Sequence, residues 1–148
     1  MADVSLPPRT QTEPVEIGNG VACHWMADGK VLVFKLSSSA RITIDSWIAG
    51  MEEAITHWSP DEPAMLLHDV ATLPLTPYMR QQSEALIKRH ADKLWGRVAV
   101  VLRPGVFTNV IRFFAEREAS KLNPRMTRRI FTSREAAIEW LAEPIKKP

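Results

Sequence analysis

The chain has 148 residues, of which 45% are hydrophobic and 24% charged, with a formal net charge of +2. That is the composition of one ordinary globular domain, and so small a net charge carries no argument for nucleic-acid or membrane binding. The single cysteine, Cys23, excludes an internal disulfide framework, and no apolar run approaches the roughly 20 residues of a membrane helix.

The opening residues, with Pro7, Pro8 and Pro14, have neither the charged start nor the apolar centre of a signal peptide. Residues 1–17 are expected to be a loose N-terminal arm, residues 18–148 one domain, and the compartment cytoplasmic. Gly18-Asn19-Gly20 reads as a turn before a strand, so it lacks the helix start that lets a glycine loop hold phosphate. Two short runs, "VACHWM" and "VLVFKLS", flank Asp28-Gly29, a strong hairpin signal. Trp47, Ile48, Met51, Ile55 and Trp58 then fall at helical spacing, with Asp45 as the expected cap and Pro60 just past the end.

"AMLLHDV" and "GRVAVVLR" are nearly continuous apolar runs, as strands covered on both faces should be. Between them "PYMRQQSEALIKRHADKL" carries Met79, Leu86, Ile87 and Leu94 on one helical stripe. After Arg103-Pro104-Gly105 another stripe, Phe107, Val110, Ile111, Phe114 and Leu122, runs up to Asn123-Pro124. "MTRRIFT" is a strand, and Thr132 with Glu135 predicts a capping box for a last helix that buries Ala136, Trp140 and Leu141. Strands alternating with helices predict an α/β fold with a single mixed β-sheet, an opening antiparallel hairpin followed by parallel right-handed crossovers.

The hairpin, the acid-ended strand "MLLHDV" and the closing "GRVAVVLRPGVFTNVIRFFAE" with "TRRIFTSREAAIEWL" resemble the STAS-like domains, and more closely their SpoIIAA-like branch, over roughly residues 18 to 142. The resemblance implies a non-enzymatic binding or regulatory module that docks a protein partner and is switched by phosphorylation of a hydroxyl residue after the acid-ended strand. Asp69 matches the acid. The usual Asp-Ser pair is absent, and the nearest hydroxyls are Thr72 and Thr76, which makes Asp69, Thr72 and Thr76 the expected regulatory loop. The fold has also been likened to the lipid-carrying CRAL-TRIO domains, so the alternative is a small-ligand or lipid carrier with a groove at the strand C-terminal ends.

Those ends offer Ser37, Ser38, Ser39, His68, Asp69, Thr72, Arg103 and Asn109, with no convergent catalytic set. His68 and Asp69, adjacent on a strand, should point to opposite faces, which denies them the contact of a catalytic dyad. His24, His57, His68 and His90 share no metal-ligand spacing, so neither metal nor cofactor is expected. Arg103, Gly105 and Asn109 precede or open a helix, where an anion or other small ligand can be held. Val106 and Phe113 fall off the apolar stripe and are the expected interface of a homodimer. Charge favours such pairing, because residues 79–130 hold 12 Lys/Arg against 4 Asp/Glu while the rest holds 7 against 13.

Overall fold

In the computed structural model the described residues are 4–105, 116–117 and 121–147. Asp28-Gly29 makes the expected turn, with Ala27, Asp28 and Gly29 all at positive φ (52°, 55° and 77°). It joins β2 (Val21–Met26) to β3 (Val31–Leu36) in antiparallel register, Cys23 opposite Phe34. One strand more than the sequence reading gives lies ahead of them. This β1 (Val15–Gly18) pairs antiparallel with β2 through the Asn19-Gly20 turn.

The stretch read as an arm runs over the indoles of Trp25 and Trp58, whose rings lie 5.8 Å apart. Trp25 Nε1 donates to the Pro7 carbonyl at 3.0 Å, and the Arg9 guanidinium stands 4.7 and 5.1 Å from the two ring centres while pairing with Glu62.

From β3 onward the sheet is parallel: α1 (Arg41–His57) leads to β4 (Ala64–Asp69), α2 (Pro77–Arg89) to β5 (Gly96–Val101), and β6 (Met126–Phe131) lies beside β5. The six strands stand in sequence order. Gly96 is required where β5 begins. Its φ is +141°, and a Cβ there would lie 2.2 Å from the Ala64 carbonyl oxygen on β4.

Alternation along the strands divides the core in two. One face carries Leu32, Phe34, Leu66, Val100 and Ile130 against α1 and α2; the other carries Val33, Leu67, Ala99 and Val101 against α3 (Arg134–Ala142). Leu32, Phe34 and Leu66 are fully buried, each contributing roughly 1.5–3 kcal/mol by removal from water.

Three local expectations are corrected. Helix α1 starts at Arg41 behind Ala40, so Asp45 is not its cap but an exposed second-turn residue that accepts a hydrogen bond from the Tyr78 hydroxyl. Ser133, not Thr132, caps α3: its hydroxyl accepts from the Ala136 amide at 3.3 Å. Helix α2 ends at Arg89 rather than continuing to Leu94, and the chain turns so that Leu94 and Trp95 are buried and Trp95 Nε1 reaches the Pro60 carbonyl.

Candidate functional site

Strand β4 sends its last two side chains to opposite faces, and each anchors a different environment. On the α1/α2 face His68 is buried between Phe34, whose ring stacks at 5.7 Å, and Trp47, whose Nε1 donates to His68 Nδ1 at 3.1 Å. A neutral imidazole whose Nδ1 accepts must carry its proton on Nε2. Burial, and secondarily the positive charge of Arg128, pushes the His68 pKa down to about 3, so this ring stays neutral near pH 7.

His68 lines a partly open cavity of about 80 Å³ between the sheet and helices α1 and α2. Most of its wall is apolar, built from Trp47, Met51, Leu66 and Leu86 among others. Among the described residues, five besides Trp47 bring polar groups to it. Ser83 donates its hydroxyl to the Met79 carbonyl, and Asn123 accepts from the Arg125 amide, so both are engaged. His90 turns Nε2 toward Glu52, 2.5 Å away, and leaves Nδ1 buried with no partner. Burial would raise the Glu52 carboxyl, but its hydrogen bonds from Arg89 and His90 outweigh that and hold it below the usual range.

The fifth residue is Arg128 of β6, opposite Val98 and on the same face as Met126 and Ile130. The residue as a whole is half-buried, but its Nε is fully buried and has no hydrogen-bond partner. Burial lowers its pKa, and Glu84 on α2 opposes that only through its charge. No Asp or Glu is among the described residues lining the cavity. The sequence reading missed Arg128 and the cavity. A signal existed, because Met126, Arg128 and Ile130 alternate along one face.

On the other face Asp69 is nearly buried, its Oδ1 accepting from the Ala71 amide at 3.1 Å and its Oδ2 lying 3.5 Å from Arg134. Arg134 also approaches His24, whose pKa is lowered by burial first and by that arginine second. Asp69 thus ties the first turn of α3 to the sheet. Thr76 caps α2, its Oγ1 accepting from the Met79 amide at 3.2 Å, with Pro77 at the first helical position. Thr72 is exposed in the loop between them.

Arg103 and Gly105 lie exposed beyond β5, while Asn109, Val106 and Phe113 fall outside the described residues. Among the described residues no three of His, Cys, Asp and Glu are placed to hold a metal ion, and no helix is long and apolar enough to cross a membrane.

No family model and no curated protein matches the chain. A solved structure does: an uncharacterized protein from the DUF3478 family with a SpoIIAA-like fold, from Shewanella loihica PV-4, is similar at a TM-score of 0.59 and 19% identity, over 82% of this chain and 92% of that one. The fold is SpoIIAA-like. That likeness bears on architecture and leaves the activity to be argued from the site itself.

Proposed function

We propose that the chain is a non-enzymatic binding module whose ligand site is the cavity between the sheet and α1/α2. The observation that carries this reading is that two residues lining this mostly apolar cavity, Arg128 and His90, each hold a buried polar atom, Nε and Nδ1, without a partner. Buried polar atoms are ordinarily hydrogen-bonded, and leaving one unmade costs roughly 1–3 kcal/mol, so an occupant that meets even one of the two is favoured. A volume of about 80 Å³ suits a ligand of a few heavy atoms and is small beside the ~300 Å³ at which ordinary ligand clefts begin, which weighs against a lipid chain.

Catalysis has little support in the same place. His68, with a pKa near 3, is too weak a base for work near neutrality, and the Ser83 hydroxyl is spent on its own helix. The test is a melting-temperature screen of the whole chain against small polar and charged organic compounds. Stabilisation by at least one of them at millimolar concentration is expected, and a uniformly flat response would overturn the assignment.

A second reading, docking of a protein partner, has its own observation. Ile42 at the start of α1 and Leu75 just before α2 are exposed at 59% and 46%. They flank the end of the sheet that also presents Thr72. The partner we put first is a second copy of the chain, on the charge complementarity of its basic segment and acidic remainder. Light scattering at high micromolar concentration, repeated with Leu75→Glu and with Thr72→Asp, tests it. A monomer throughout would remove it. The free, buried Cys23 fits a reducing compartment such as the cytoplasm.

A further inference from the structure

Arg128 presents a cation to a cavity whose described lining includes no carboxylate; Glu84 on α2 acts on it only through its charge, and its buried Nε has no hydrogen-bond partner, an arrangement that is costly. His68 stands on the same face, separated from Arg128 by the β5 residues Val98 and Val100. Its tautomer is fixed by Trp47, so what it offers a ligand is the Nε2 proton. One cation and one neutral donor among the residues that line one small space, on the same sheet face two strands apart, describe a receptor for an anion.

The remaining wall decides which anion. Phosphate and sulfate carry four oxygens around a centre, and against Trp47, Met51 and Leu86 some of these would be buried without donors. A carboxylate has two oxygens in a plane, which a guanidinium meets side by side, and its carbon chain is compatible with the apolar wall. The volume limits that chain to a few carbons. We propose that the cavity is a site for a short-chain monocarboxylic acid, with its carboxylate on Arg128 and the His68 Nε2 proton and its tail against Trp47, Met51 and Leu86. This rests on the cavity being the ligand site and adds the chemical class of the ligand.

The experiment is calorimetric titration of the intact chain, in chloride buffer at pH 7, with acetate, butyrate, octanoate, inorganic phosphate and the neutral isostere butyramide. Butyrate should bind better than acetate, octanoate should gain no further affinity because its longer tail outruns the cavity, and butyramide should bind roughly 10- to 100-fold more weakly than butyrate, the worth of one charge-assisted contact. Arg128→Met keeps the length and apolar stem of the side chain and should lose butyrate affinity by a similar factor. If butyramide equals butyrate, or Arg128→Met binds butyrate unchanged, the carboxylate assignment falls while the cavity remains a ligand site. If neither the acids nor the amide bind, the carboxylate assignment falls, and the melting-temperature screen decides separately whether the cavity is a ligand site. Should Arg128→Met not fold, the acid-against-amide comparison on the native chain decides alone.

Discussion

Acid should destabilise this domain through His68 in particular, and the size of the effect can be worked out in advance. In the unfolded chain the imidazole titrates near 6.5, whereas in the folded chain burial brings it to about 3. The folded value is the lower one, so between these limits the unfolded state binds the extra proton and stability falls as pH falls. The limiting slope is about 1.4 kcal/mol per pH unit, so descending from pH 7.5 to 4.5 removes roughly 2.5–3 kcal/mol, a large part of a typical total of about 5–15 kcal/mol.

His24 and Glu52 are also depressed in the folded state and contribute with the same sign, the carboxyl at lower pH than the imidazoles. They must therefore be subtracted. Urea unfolding followed by tryptophan fluorescence, on the native chain and on His68→Gln at pH 7.5, 6.0, 5.25 and 4.5, performs the subtraction, since only the His68 contribution differs. Glutamine keeps an acceptor for the Trp47 indole while removing the titration. The stability advantage of the native chain over the variant should shrink by roughly 2.5–3 kcal/mol across the range. A difference constant within about 0.5 kcal/mol, the usual error of such cycles, would refute the reasoning that this ring is held neutral by burial.

Gly96→Ala should be among the most damaging single changes, at roughly 3 kcal/mol or more by chemical denaturation, because the new methyl meets the Ala64 carbonyl oxygen at a positive φ. Thr76→Ala should cost about 0.5–2 kcal/mol in the same assay by removing the α2 cap, with butyrate affinity by calorimetry unchanged because Thr76 does not line the cavity. Cys23, buried with its thiol pKa raised to about 12, should be inert to a disulfide reagent in the folded chain at pH 8 and should react fully in 6 M guanidinium; rapid labelling without denaturant would contradict its burial.

What the sequence conveyed well was whatever depends on a few neighbouring residues. Asp28-Gly29 announced the hairpin because the turn needs positive φ at positions those residues tolerate, and the observed angles are of that kind. Strands β4 and β5 were legible because burial on both faces leaves nearly continuous apolar runs in them. Strand β1 was not, since Val15 and Glu16 are both exposed at the sheet edge and the register shifts between Glu16 and Gly18. No alternation existed there to be read. The caps of α1 and α3 were misplaced by a few residues because each start has several polar candidates, and packing of the helix on the sheet chooses among them.

The site divides along the same line. That His68 and Asp69 serve opposite faces followed from strand geometry, and the structure places them so, one among aromatic rings and one on Arg134. Arg128 and Arg129 are neighbours of identical type, and by composition neither stands out. Their difference lies in phase. Arg129 falls with Phe131, over whose ring and that of Trp140 it extends, on the α3 side; Arg128 falls with Met126 and Ile130 on the side of α1 and α2. The period-two pattern that identifies β6 as a strand therefore also requires one of its two arginines to face the core, where a cation must find a partner or leave a place for one. What the pattern cannot supply is the space in front of it. That space is set by how Trp47 and Met51 of α1 and Leu86 of α2 meet over the sheet, a meeting of residues about 40 to 80 positions away in sequence from Arg128.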